Sequence, residues 1–447
     1  MARDRLALAL RENLIRRKTQ AREQASIGGR LRITGGAPLV GRVPISGAKN
    51  ATLPIMVTCL MTPELVVLDN VPKLTDVANM IHLLEHLGVT VSHGDTLHLQ
   101  AETVATVVAP HEFVRRMRAS ILVLAPLLAR CGEAVVSLPG GCEIGERPID
   151  LHLLALQALG AEIRADAGHV IVAAPQGLTG GRIVMNKVSV GATETALMAA
   201  CVARGVTTIE GAACEPEITD LGHCLQAMGA QIDGLGTTTV TITGVPALTG
   251  ARHRVIPDRI ETGTYAVAAH MTGGDLELIG ARGDHLAAPI EILTAMGAEV
   301  HNTEKGLRIK GGKGKAPAQE IITRPYPRFP TDLQAQFMTA LSIAQGTSVI
   351  TEAIFENRFM HVPELRRLGA KINIDGDRAH IEGVKALSGA PVRATDLRAG
   401  VCLVLAGLVA TGETTVERLE HLDRGYADLE GKLKACGAQI ERLAAAV

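Results

Sequence analysis

The chain has 447 residues, a hydrophobic fraction of 47% and a formal net charge of −1 at pH 7, which predicts a globular protein of at least two domains. The near-neutral charge gives no electrostatic reason to expect nucleic acid or a membrane surface as a partner, and 2% aromatic residues with no Trp exclude a set of stacking platforms for single-stranded nucleic acid. The eight cysteines have no CxxC spacing, so we expect reduced thiols in a cytoplasmic protein and neither a zinc site nor another metal or cofactor.

Residues 1–27 form a separate segment with seven basic and three acidic residues, in which leucines recur at helical spacing. The segment lacks the apolar core and cleavage site of a secretory signal. Two interpretations stay open: a solvated extension without fixed structure, which is the default, or a helix that docks on a protein partner. Further along, the longest apolar runs, 119–129 and 401–410, fall short of the roughly 18 residues that a membrane span needs.

One short phrase recurs from Arg30 onward: an amphipathic helix that ends in an apolar residue, Gly and a small residue, followed by a strand. The glycines of this phrase are 68 to 72 residues apart and comprise Gly88, Gly160, Gly229, Gly297, Gly369 and Gly437. Glycine just past a helix end is typical of a left-handed C-terminal cap. A fixed period of this length predicts six copies of one supersecondary unit.

Each copy contains a strand, a loop and helix, a second strand with its own loop and helix, and a hairpin or edge strand. Strands that alternate with helices predict parallel pairing, with antiparallel additions from the hairpins. The fold class is therefore α/β, with six βαβαββ units divided as three and three. The fourth unit begins near Val255–Asp258, where we place the boundary between two lobes.

Candidate functional residues occur at corresponding positions in the repeat, directly after its strands. Functional residues of α/β folds lie in loops beyond the carboxyl ends of strands. The first strands of the units are followed by Lys49-Asn50, Arg118, Lys187, Asp258-Arg259, Asp332 and Asp396 with Arg398. The second strands are followed by Cys142 with Arg147, Glu215 with Glu217, Asn357-Arg358, and Arg424. If the two lobes face each other, these loops converge on one cleft, and the clustered cations suit a substrate with phosphate and carboxylate groups.

The loop around Cys142 is the strongest candidate for chemistry. A strand runs into Pro139-Gly140-Gly141 and then Cys142, with Arg147 shortly after. A cysteine near a fixed cation and a helix N-terminus has a lowered pKa, so it could serve as nucleophile or proton donor. The alternative is a small residue packed in a turn, although the glycines favour a mobile loop.

The acidic and histidine candidates have competing structural interpretations. Asp332 and Asp396 each precede a predicted helix, so each is either an N-cap or a functional carboxylate: a general base for Asp332 and an ion-pair partner for Asp396. Any single arginine of the set can also be a surface salt bridge. His152 either tunes the Cys142 loop or is a core or helix-surface histidine, and His361, after the Asn357-Arg358 loop, is equally unresolved; a packed residue is the simpler interpretation of each. No GxGxxG after a strand and no GxxxxGK[ST] occurs, so neither a dinucleotide fold nor a P-loop is predicted.

Nine motifs, in order from Leu31 to about Arg442, resemble the UDP-N-acetylglucosamine 1-carboxyvinyltransferase family. They are Ile45–Asn50, Met117–Ser120, Pro139–Cys142, Lys187–Thr193, Pro257–Glu261, Phe329–Asp332, Phe355–His361, Thr395–Ala399 and Asp423–Tyr426. The resemblance implies a two-lobed inside-out α/β barrel, with residues 49–256 in the lobe of the Cys142 loop and 28–48 plus 257–447 in the other. It also implies transfer of the enolpyruvyl group from phosphoenolpyruvate to the 3′-hydroxyl of the nucleotide sugar, with phosphate released, at the start of peptidoglycan synthesis.

The same resemblance assigns roles residue by residue. Those implied for phosphoenolpyruvate are Lys49, Asn50, Arg118, Arg147, Arg358, Arg398 and Arg424. Those implied for the nucleotide sugar are Asn50, Arg118, Arg147, Pro148, Ile149, Asp150, Leu151, Lys187, Ser189, Val190, Asp332 and Ile354. Cys142 matches the loop cysteine that protonates C3 and is the target of fosfomycin, Asp332 matches the base on the sugar hydroxyl, and Lys49 and Arg424 complete the catalytic set.

Two departures from the family pattern stand out, namely the extension 1–27 and Glu146, a carboxylate beside Arg147. Two alternatives to this function also stay open. One is enolpyruvyl transfer to another acceptor, a nucleotide or shikimate 3-phosphate. The other is a catalytically silent regulatory homologue that uses its N-terminal segment for docking.

Overall fold

The computed structural model describes residues 29–115, 117–137, 149–166, 168–312 and 314–444. Its strands, in chain order, are β1 (Arg30–Thr34), β2 (Val40–Pro44), β3 (Leu65–Asp69), β4 (Thr90–His93), β5 (Leu97–Gln100), β6 (Val108–Ala109), β7 (Glu133–Ser137), β8 (Glu162–Asp166), β9 (His169–Ala173), β10 (Arg182–Val184), β11 (Val206–Glu210), β12 (Gln231–Asp233), β13 (Thr239–Thr243), β14 (Arg252–Arg254), β15 (Asp275–Ile279), β16 (Glu299–Thr303), β17 (Gly306–Lys310), β18 (Glu320–Ile322), β19 (Thr347–Thr351), β20 (Lys371–Asp375), β21 (Arg378–Glu382), β22 (Pro391–Arg393), β23 (Glu413–Glu417) and β24 (Gln439–Leu443).

The α-helices of these ranges are α1 (Lys49–Val57), α2 (Thr75–His86), α3 (His111–Val114), α4 (Leu124–Cys131), α5 (Asp150–Ala158), α6 (Val190–Ala200), α7 (Pro216–Ala227), α8 (Arg259–Met271), α9 (Ala287–Ala295), α10 (Gln334–Leu341), α11 (Val362–Arg367), α12 (Leu397–Val409) and α13 (Leu429–Ala435). Short 3₁₀ helices cover Thr58–Met61, Arg118–Val123, Gly283–Leu286, Thr331–Leu333 and Leu422–Arg424. Within the described ranges, no helix is both long and apolar enough to cross a membrane.

The strands form six four-stranded sheets of one plan. Their strand orders are β14-β3-β5-β4, β6-β7-β9-β8, β10-β11-β13-β12, β2-β15-β17-β16, β18-β19-β21-β20 and β22-β23-β1-β24. In each sheet the first two strands are parallel and the other pairs are antiparallel. The predicted combination of parallel pairs and hairpin additions is therefore confirmed, and β1 supplies the strand that the sixth unit lacks.

The helices lie inside and the sheets outside, because the two kinds of element bury different amounts of their surface. Strands such as β11 and β19 alternate exposed and buried residues, so one face of each sheet points to solvent. By contrast, α6 is buried from Ala192 to Ala200, and α10 is buried along its whole length. A helix that is buried on all sides must be surrounded by protein, which gives the inside-out arrangement that the fold class predicted.

The six capping glycines adopt the predicted conformation. All of them have left-handed φ values between 89° and 103°, a region that residues with a Cβ rarely enter. Each ends the second helix of its unit and turns the chain into the next strand. The six-unit period read from these glycines is thus a real period of the structure.

The buried hydrophobic residues form two separate clusters. One runs from Ala48 to Val255, and the other combines residues 31–45 with residues 260–440. The chain crosses between them twice, and the two crossing segments lie side by side, with Ala48 N–H donating to Ile256 O at 2.8 Å and Asp258 N–H donating to Ser46 O at 2.8 Å. The division into lobes at 49–256 and 28–48 plus 257–447 stays a prediction, which these two cores support.

The crossing exchanges two strands between units. β2 is the first strand of the first unit in sequence but pairs in parallel with β15 of the fourth unit. In return, β14 is the first strand of the fourth unit in sequence but pairs in parallel with β3 of the first. The unit that repeats along the chain is therefore not closed in space, and the exchange holds the two cores together at one place.

Candidate active site

Lys49, Asp76 and Arg424 form an ion-paired group where the two hydrophobic cores meet. Lys49 opens α1, Asp76 lies in the first turn of α2, and Arg424 ends a 3₁₀ helix near the C-terminus. Asp76 is only 2% exposed; its Oδ2 lies 3.2 Å from Lys49 Nζ and its Oδ1 lies 2.8 Å from Arg424 Nε. Burial would raise the pKa of Asp76, but the charges of Lys49 and Arg424 outweigh it and lower that pKa below its ordinary value.

Asp332 lies between two arginines that approach it from different loops. Its Oδ1 accepts from Arg358 Nη2 at 2.7 Å and its Oδ2 accepts from Arg398 Nη2 at 2.7 Å. Burial opposes ionisation of this carboxyl, yet the two guanidinium charges and their hydrogen bonds hold the pKa of Asp332 well below its usual range. The carboxylate is ion-paired through both oxygens and does not cap the following helix, so the N-cap interpretation of Asp332 is wrong.

Arg398 is held in place by a buried network of hydrogen bonds between hydroxyl and amide groups. Arg398 Nη1 donates to Tyr426 Oη at 3.2 Å, and the Tyr426 hydroxyl lies 2.9 Å from Thr264 Oγ1. Gln336 Nε2 donates to Thr264 Oγ1 at 3.1 Å and to the backbone oxygen of Asp332 at 3.0 Å. The same few side chains thus fix both the arginine and the backbone of the carboxylate that it binds.

The two ion-paired groups lie close enough to influence each other. Burial lowers the pKa of Lys49, and the positive charges of Arg398 and Arg424 lower it further, against the opposing effects of Asp76 and Asp332. Four cations, Lys49, Arg358, Arg398 and Arg424, therefore surround two carboxylates. In the described part of the chain this is an excess of positive charge in a largely buried setting, which favours an anionic ligand.

Of the three carboxylates that follow first strands in the second half of the chain, Asp258 and Asp396 have capping roles. Asp396 accepts from the backbone N–H groups of Arg398 at 2.8 Å and Ala399 at 3.0 Å, which decides between its two interpretations in favour of the cap. Asp258 caps α8 in the same way and also accepts from Lys49 N–H at 3.2 Å. Through that last bond, Asp258 ties the start of α1 to the start of α8.

The segments predicted for the nucleotide sugar meet at two helix N-termini. Ile149–Leu151 begin α5 and Ser189–Val190 begin α6, with Ser189 Oγ accepting from Ala192 N–H at 3.3 Å. A Cβ placed on Gly191 would lie 2.9 Å from the ring of His152, so the first turns of α5 and α6 touch. Adjacent helix N-termini offer unpaired N–H groups and partial positive charge to an anion.

The other predicted contacts lie on separate elements. Lys187 is exposed in the turn before α6, Asn50 is half-buried beside Lys49, and Ile354 follows β19. Arg118 opens a 3₁₀ helix and is half-buried, and after burial its charge is the second cause that lowers the pKa of His152 to about 4. Arg118 therefore lies near the start of α5.

The histidine candidates behave as packed residues. His152 Nδ1 lies 2.8 Å from Thr195 Oγ1 and is buried between α5 and α6. Burial lowers the pKa of His361 to about 4, and its Nε2 contacts the Met338 sulfur at 3.2 Å. Neither ring is charged at neutral pH, in agreement with the simpler interpretation of each.

Several predicted residues lie outside the described ranges: Cys142, Arg147 and Pro148, with Glu146 beside them and the segment 1–27. Their assigned roles stay predictions. Across the residues that the structure does describe, no group of three or more His, Cys, Asp and Glu side chains is placed to hold a metal ion.

Sequence reasoning missed Asp76 and Glu352. Asp76 follows the second strand of the first unit, the position at which other units carry Arg424, Arg358 or Glu217. Extending the repeat comparison to every unit would have identified it. Glu352 follows β19 directly and is 4% exposed, and no local pattern in the sequence marks it as buried.

The fold and this cationic site define the class of carboxyvinyl transferases. A family model described as EPSP synthase (3-phosphoshikimate 1-carboxyvinyltransferase) matches residues 33–433. The enolpyruvyl transferase NikO from Streptomyces tendae has the same fold, with a TM-score of 0.85 and 28% identity over 94% of this chain and 100% of its own. EPSP synthase from Acinetobacter baumannii shares the fold at a TM-score of 0.70 and 19% identity, covering 93% of this chain and 100% of its own.

Sequence relatives are more specific. The UDP-N-acetylglucosamine 1-carboxyvinyltransferase of Azorhizobium caulinodans is 56% identical over 93% of this chain and 99% of its own length. The enzyme of the same name from Xanthobacter autotrophicus is 57% identical, with the same coverage. This chain belongs to the UDP-N-acetylglucosamine 1-carboxyvinyltransferase family, which confirms the predicted family, fold class and transferase activity.

Proposed function

We propose that the protein transfers the enolpyruvyl group of phosphoenolpyruvate to the 3′-hydroxyl of UDP-N-acetylglucosamine and releases phosphate. The observation that carries this proposal is the excess of cations at the junction of the two cores, where four of them pair with Asp76 and Asp332. Family membership supplies the chemistry. The reaction is the first committed step of peptidoglycan precursor synthesis, carried out in the cytoplasm.

Phosphoenolpyruvate brings a phosphate and a carboxylate to the cationic site. Asp76 holds Lys49 Nζ at 3.2 Å and Arg424 Nε at 2.8 Å, which brings these two cations to one place. The positive charge of Arg398 also lowers the pKa of Lys49, so we assign all three cations to one small anion. Arginine presents a planar fork to either anionic group, and lysine adds a compact charge. Asn50, Arg118, Arg147 and Arg358 complete the set that we assign to this substrate.

The reaction needs a base at the sugar oxygen and an acid at carbon. The sugar oxygen bonds to C2 while Asp332 accepts the hydroxyl proton, and Cys142 gives a proton to C3. The adduct then breaks its C2–O bond to phosphate, and loss of a proton from C3 restores the double bond. The negative charge that develops on the departing phosphate faces Lys49 and the arginines, which stabilises the transition state for its release.

Asp332 can act as a base only if an arginine first gives it up. Both of its oxygens are held by guanidinium groups, which lower its pKa, and a carboxylate in that state is a weak proton acceptor. Arrival of phosphate and carboxylate groups gives Arg358 and Arg398 new partners. The same event that fills the anion site therefore makes Asp332 more basic.

UDP-N-acetylglucosamine lies along the touching first turns of α5 and α6. The diphosphate is the anion that these helix N-termini suit, with Lys187, Ser189 and Val190 on one side and Pro148, Ile149, Asp150 and Leu151 on the other. Ile354 contacts the sugar from the loop after β19.

Phosphate release from phosphoenolpyruvate tests the acceptor directly. We expect release with UDP-N-acetylglucosamine and none with UMP or shikimate 3-phosphate tested in parallel. Equal or faster release with either of these would overturn the substrate assignment, and no release with any acceptor would support a silent homologue. Arg393→Ala serves as the control, because this side chain is 70% exposed in its pair with Glu417 and should leave the rate unchanged, whereas Arg398→Ala should abolish it.

A further inference from the structure

Glu352 occupies a repeat position at which its unit departs from the others. The residue directly after the second strand has a left-handed φ, between 60° and 82°, in four units: Asn70, Gly211, Gly280 and Arg418. Glu352 does not share this conformation, and its side chain is buried. A buried carboxylate requires partners, so the departure points to a specific task.

Four donors converge on the Glu352 carboxylate. Its Oε1 accepts from Thr323 Oγ1 at 2.8 Å and from the backbone N–H groups of Ile354 at 3.0 Å and Phe355 at 3.2 Å. Its Oε2 accepts from Thr331 Oγ1 at 2.8 Å. One oxygen therefore shapes its own loop, and the other reaches the loop that carries Asp332.

The Thr331 hydroxyl passes this interaction on to Arg358. A hydroxyl has one proton to donate, and Thr331 donates it to Glu352, which leaves its lone pairs facing Arg358 Nη1 at 3.1 Å. The other terminal nitrogen of Arg358 holds Asp332 Oδ1 at 2.7 Å. The path from Glu352 to the proposed base is thus continuous in hydrogen bonds.

A second contact holds the same arginine. The guanidinium carbon of Arg358 lies 5.2 Å from the ring centre of Phe355, within the range of a cation–π interaction. The backbone N–H of Phe355 is one of the donors to Glu352. Glu352 therefore bears on Arg358 both through the Thr331 hydroxyl and through the placement of the Phe355 ring.

The geometry points to Glu352 as a positioning residue for the transfer reaction: by orienting Thr331, it fixes Arg358 against Asp332 and so holds that carboxylate in place. This inference rests on the proposed function of Asp332 as the base. Glu352 itself does not touch the reacting atoms.

Three substitutions test the path. Thr331→Val keeps the volume and removes the hydroxyl, while Thr331→Ser keeps the hydroxyl. In Glu352→Gln the amide oxygen faces the three donors at Oε1, so the amide N–H group faces Thr331 and the hydroxyl loses its acceptor. Freeing Asp332 from Arg358 makes the carboxylate more basic but leaves it without a fixed position, and we expect the loss of position to dominate. T331V and E352Q should each lower kcat about 10-fold, the worth of one lost hydrogen bond, and T331S should stay within about twofold of the wild type.

Thr323→Val distinguishes the positioning role of Glu352 from a purely structural one. Thr323 donates to the same carboxylate but lies off the path to Arg358. We expect T331V and E352Q, but not T323V, to move the acid limb of the pH–rate profile to higher pH, because a loosened Arg358 lowers the pKa of Asp332 less. The double variant T331V/E352Q should be no worse than either single one, as for residues that act in series.

The outcomes are distinguishable from failure of the proposed function. If the wild type is active and T331V matches T323V in rate and pH profile, the positioning role of Glu352 is overturned. If the wild type releases no phosphate with any acceptor, the proposed function fails, and crystal structures of T331V and T331S decide the positioning instead. Arg358 Nη2 should leave Asp332 in the first and stay in the second; an unmoved Arg358 in T331V would overturn the inference.

Discussion

Asp76 and Arg424 are 348 positions apart in the chain and form an ion pair with 2.8 Å between Oδ1 and Nε. Asp76 lies in α2, which packs in the first core, and Arg424 lies in the 3₁₀ helix 422–424, which packs in the second. The opposite oxygen of Asp76 holds Lys49. One buried carboxylate therefore joins the two cores. It also sets the distance between Lys49 and Arg424, two residues that we propose bind phosphoenolpyruvate.

Asp76→Asn should weaken phosphoenolpyruvate binding and turnover. Asparagine keeps the size and one acceptor but no charge, so Lys49 and Arg424 repel each other without a buried counterion. We expect kcat/KM for phosphoenolpyruvate to fall about 10- to 100-fold, or about 1.4 to 2.8 kcal/mol of transition-state stabilisation. Steady-state kinetics and calorimetric binding of phosphoenolpyruvate measure this effect.

The matched control for this change is Asp69→Asn in the same unit. Asp69 pairs with Arg252, whose side chain is 68% exposed, and exposed pairs contribute little. We expect its kinetics to equal those of the wild type. Tighter phosphoenolpyruvate binding in Asp76→Asn would show that Asp76 only competes with the substrate, and would contradict the spacing role.

Local features of the fold could be predicted from the sequence because their causes are local. Gly88 and its five equivalents adopt left-handed conformations that the helix ends demand, and this requirement is visible in the residue type alone. The exchange of β2 and β14 between units has no such signal. β2 pairs with a strand 235 positions away and β14 pairs with one 185 positions away, and strand propensity within a short stretch does not select such distant partners.

The site residues could be predicted where they occupy corresponding positions in the repeated units. The cations could be grouped because Lys49 and Arg398 follow first strands of their units, and Arg358 and Arg424 follow second strands. Asp76 escaped because an aspartate in the first turn of a helix is already explained by the helix dipole. Its true partners lie 27 and 348 positions away, and long-range pairing of this kind is not encoded in any short stretch.

Cys142→Ser should remove most of the turnover and make the enzyme resistant to fosfomycin. A hydroxyl is a far weaker acid than a thiol and is no thiolate nucleophile at neutral pH, so neither proton delivery to C3 nor covalent modification continues. Time-dependent inactivation, followed by intact mass, measures both effects. Cys131→Ser, at an exposed cysteine, is the control. An unchanged inactivation rate in Cys142→Ser would remove this cysteine from its role.

Asp332→Asn should destabilise the protein in a way that depends on pH. Removing the carboxylate leaves two buried guanidinium groups without a counterion, which costs about 3–5 kcal/mol for a buried pair. Because the folded-state pKa of Asp332 lies well below the ordinary 3.8, its stabilisation is fully present above that value and is lost as the pH falls toward the folded-state pKa. The difference in the free energy of unfolding between the wild type and Asp332→Asn, measured with urea, should therefore be equal at pH 7 and pH 5 and smaller at pH 3.5.

The control for Asp332→Asn is Asp375→Asn, at the exposed end of a strand. It should match the wild type at every pH. If Asp332→Asn differed from the wild type by the same amount at pH 3.5 as at pH 7, the stabilisation would come from shape and not from charge.

Glu194→Gln should stabilise the protein as the pH rises. Burial, followed by the nearby charges of Glu217 and Glu215, raises the pKa of Glu194 from 4.5 to about 8. Between these values the unfolded chain is ionised at this residue and the folded chain is protonated, so unfolding becomes easier with rising pH, by at most about 1.4 kcal/mol per pH unit. Glutamine lacks this titration, so the stability advantage of the variant over the wild type should grow from about pH 5 to about pH 8 and then level off.

Thermal unfolding midpoints across this pH range measure the difference, with Glu210→Gln, whose side chain is 37% exposed, as control. A difference that does not change with pH would mean that Glu194 is already ionised in the folded protein.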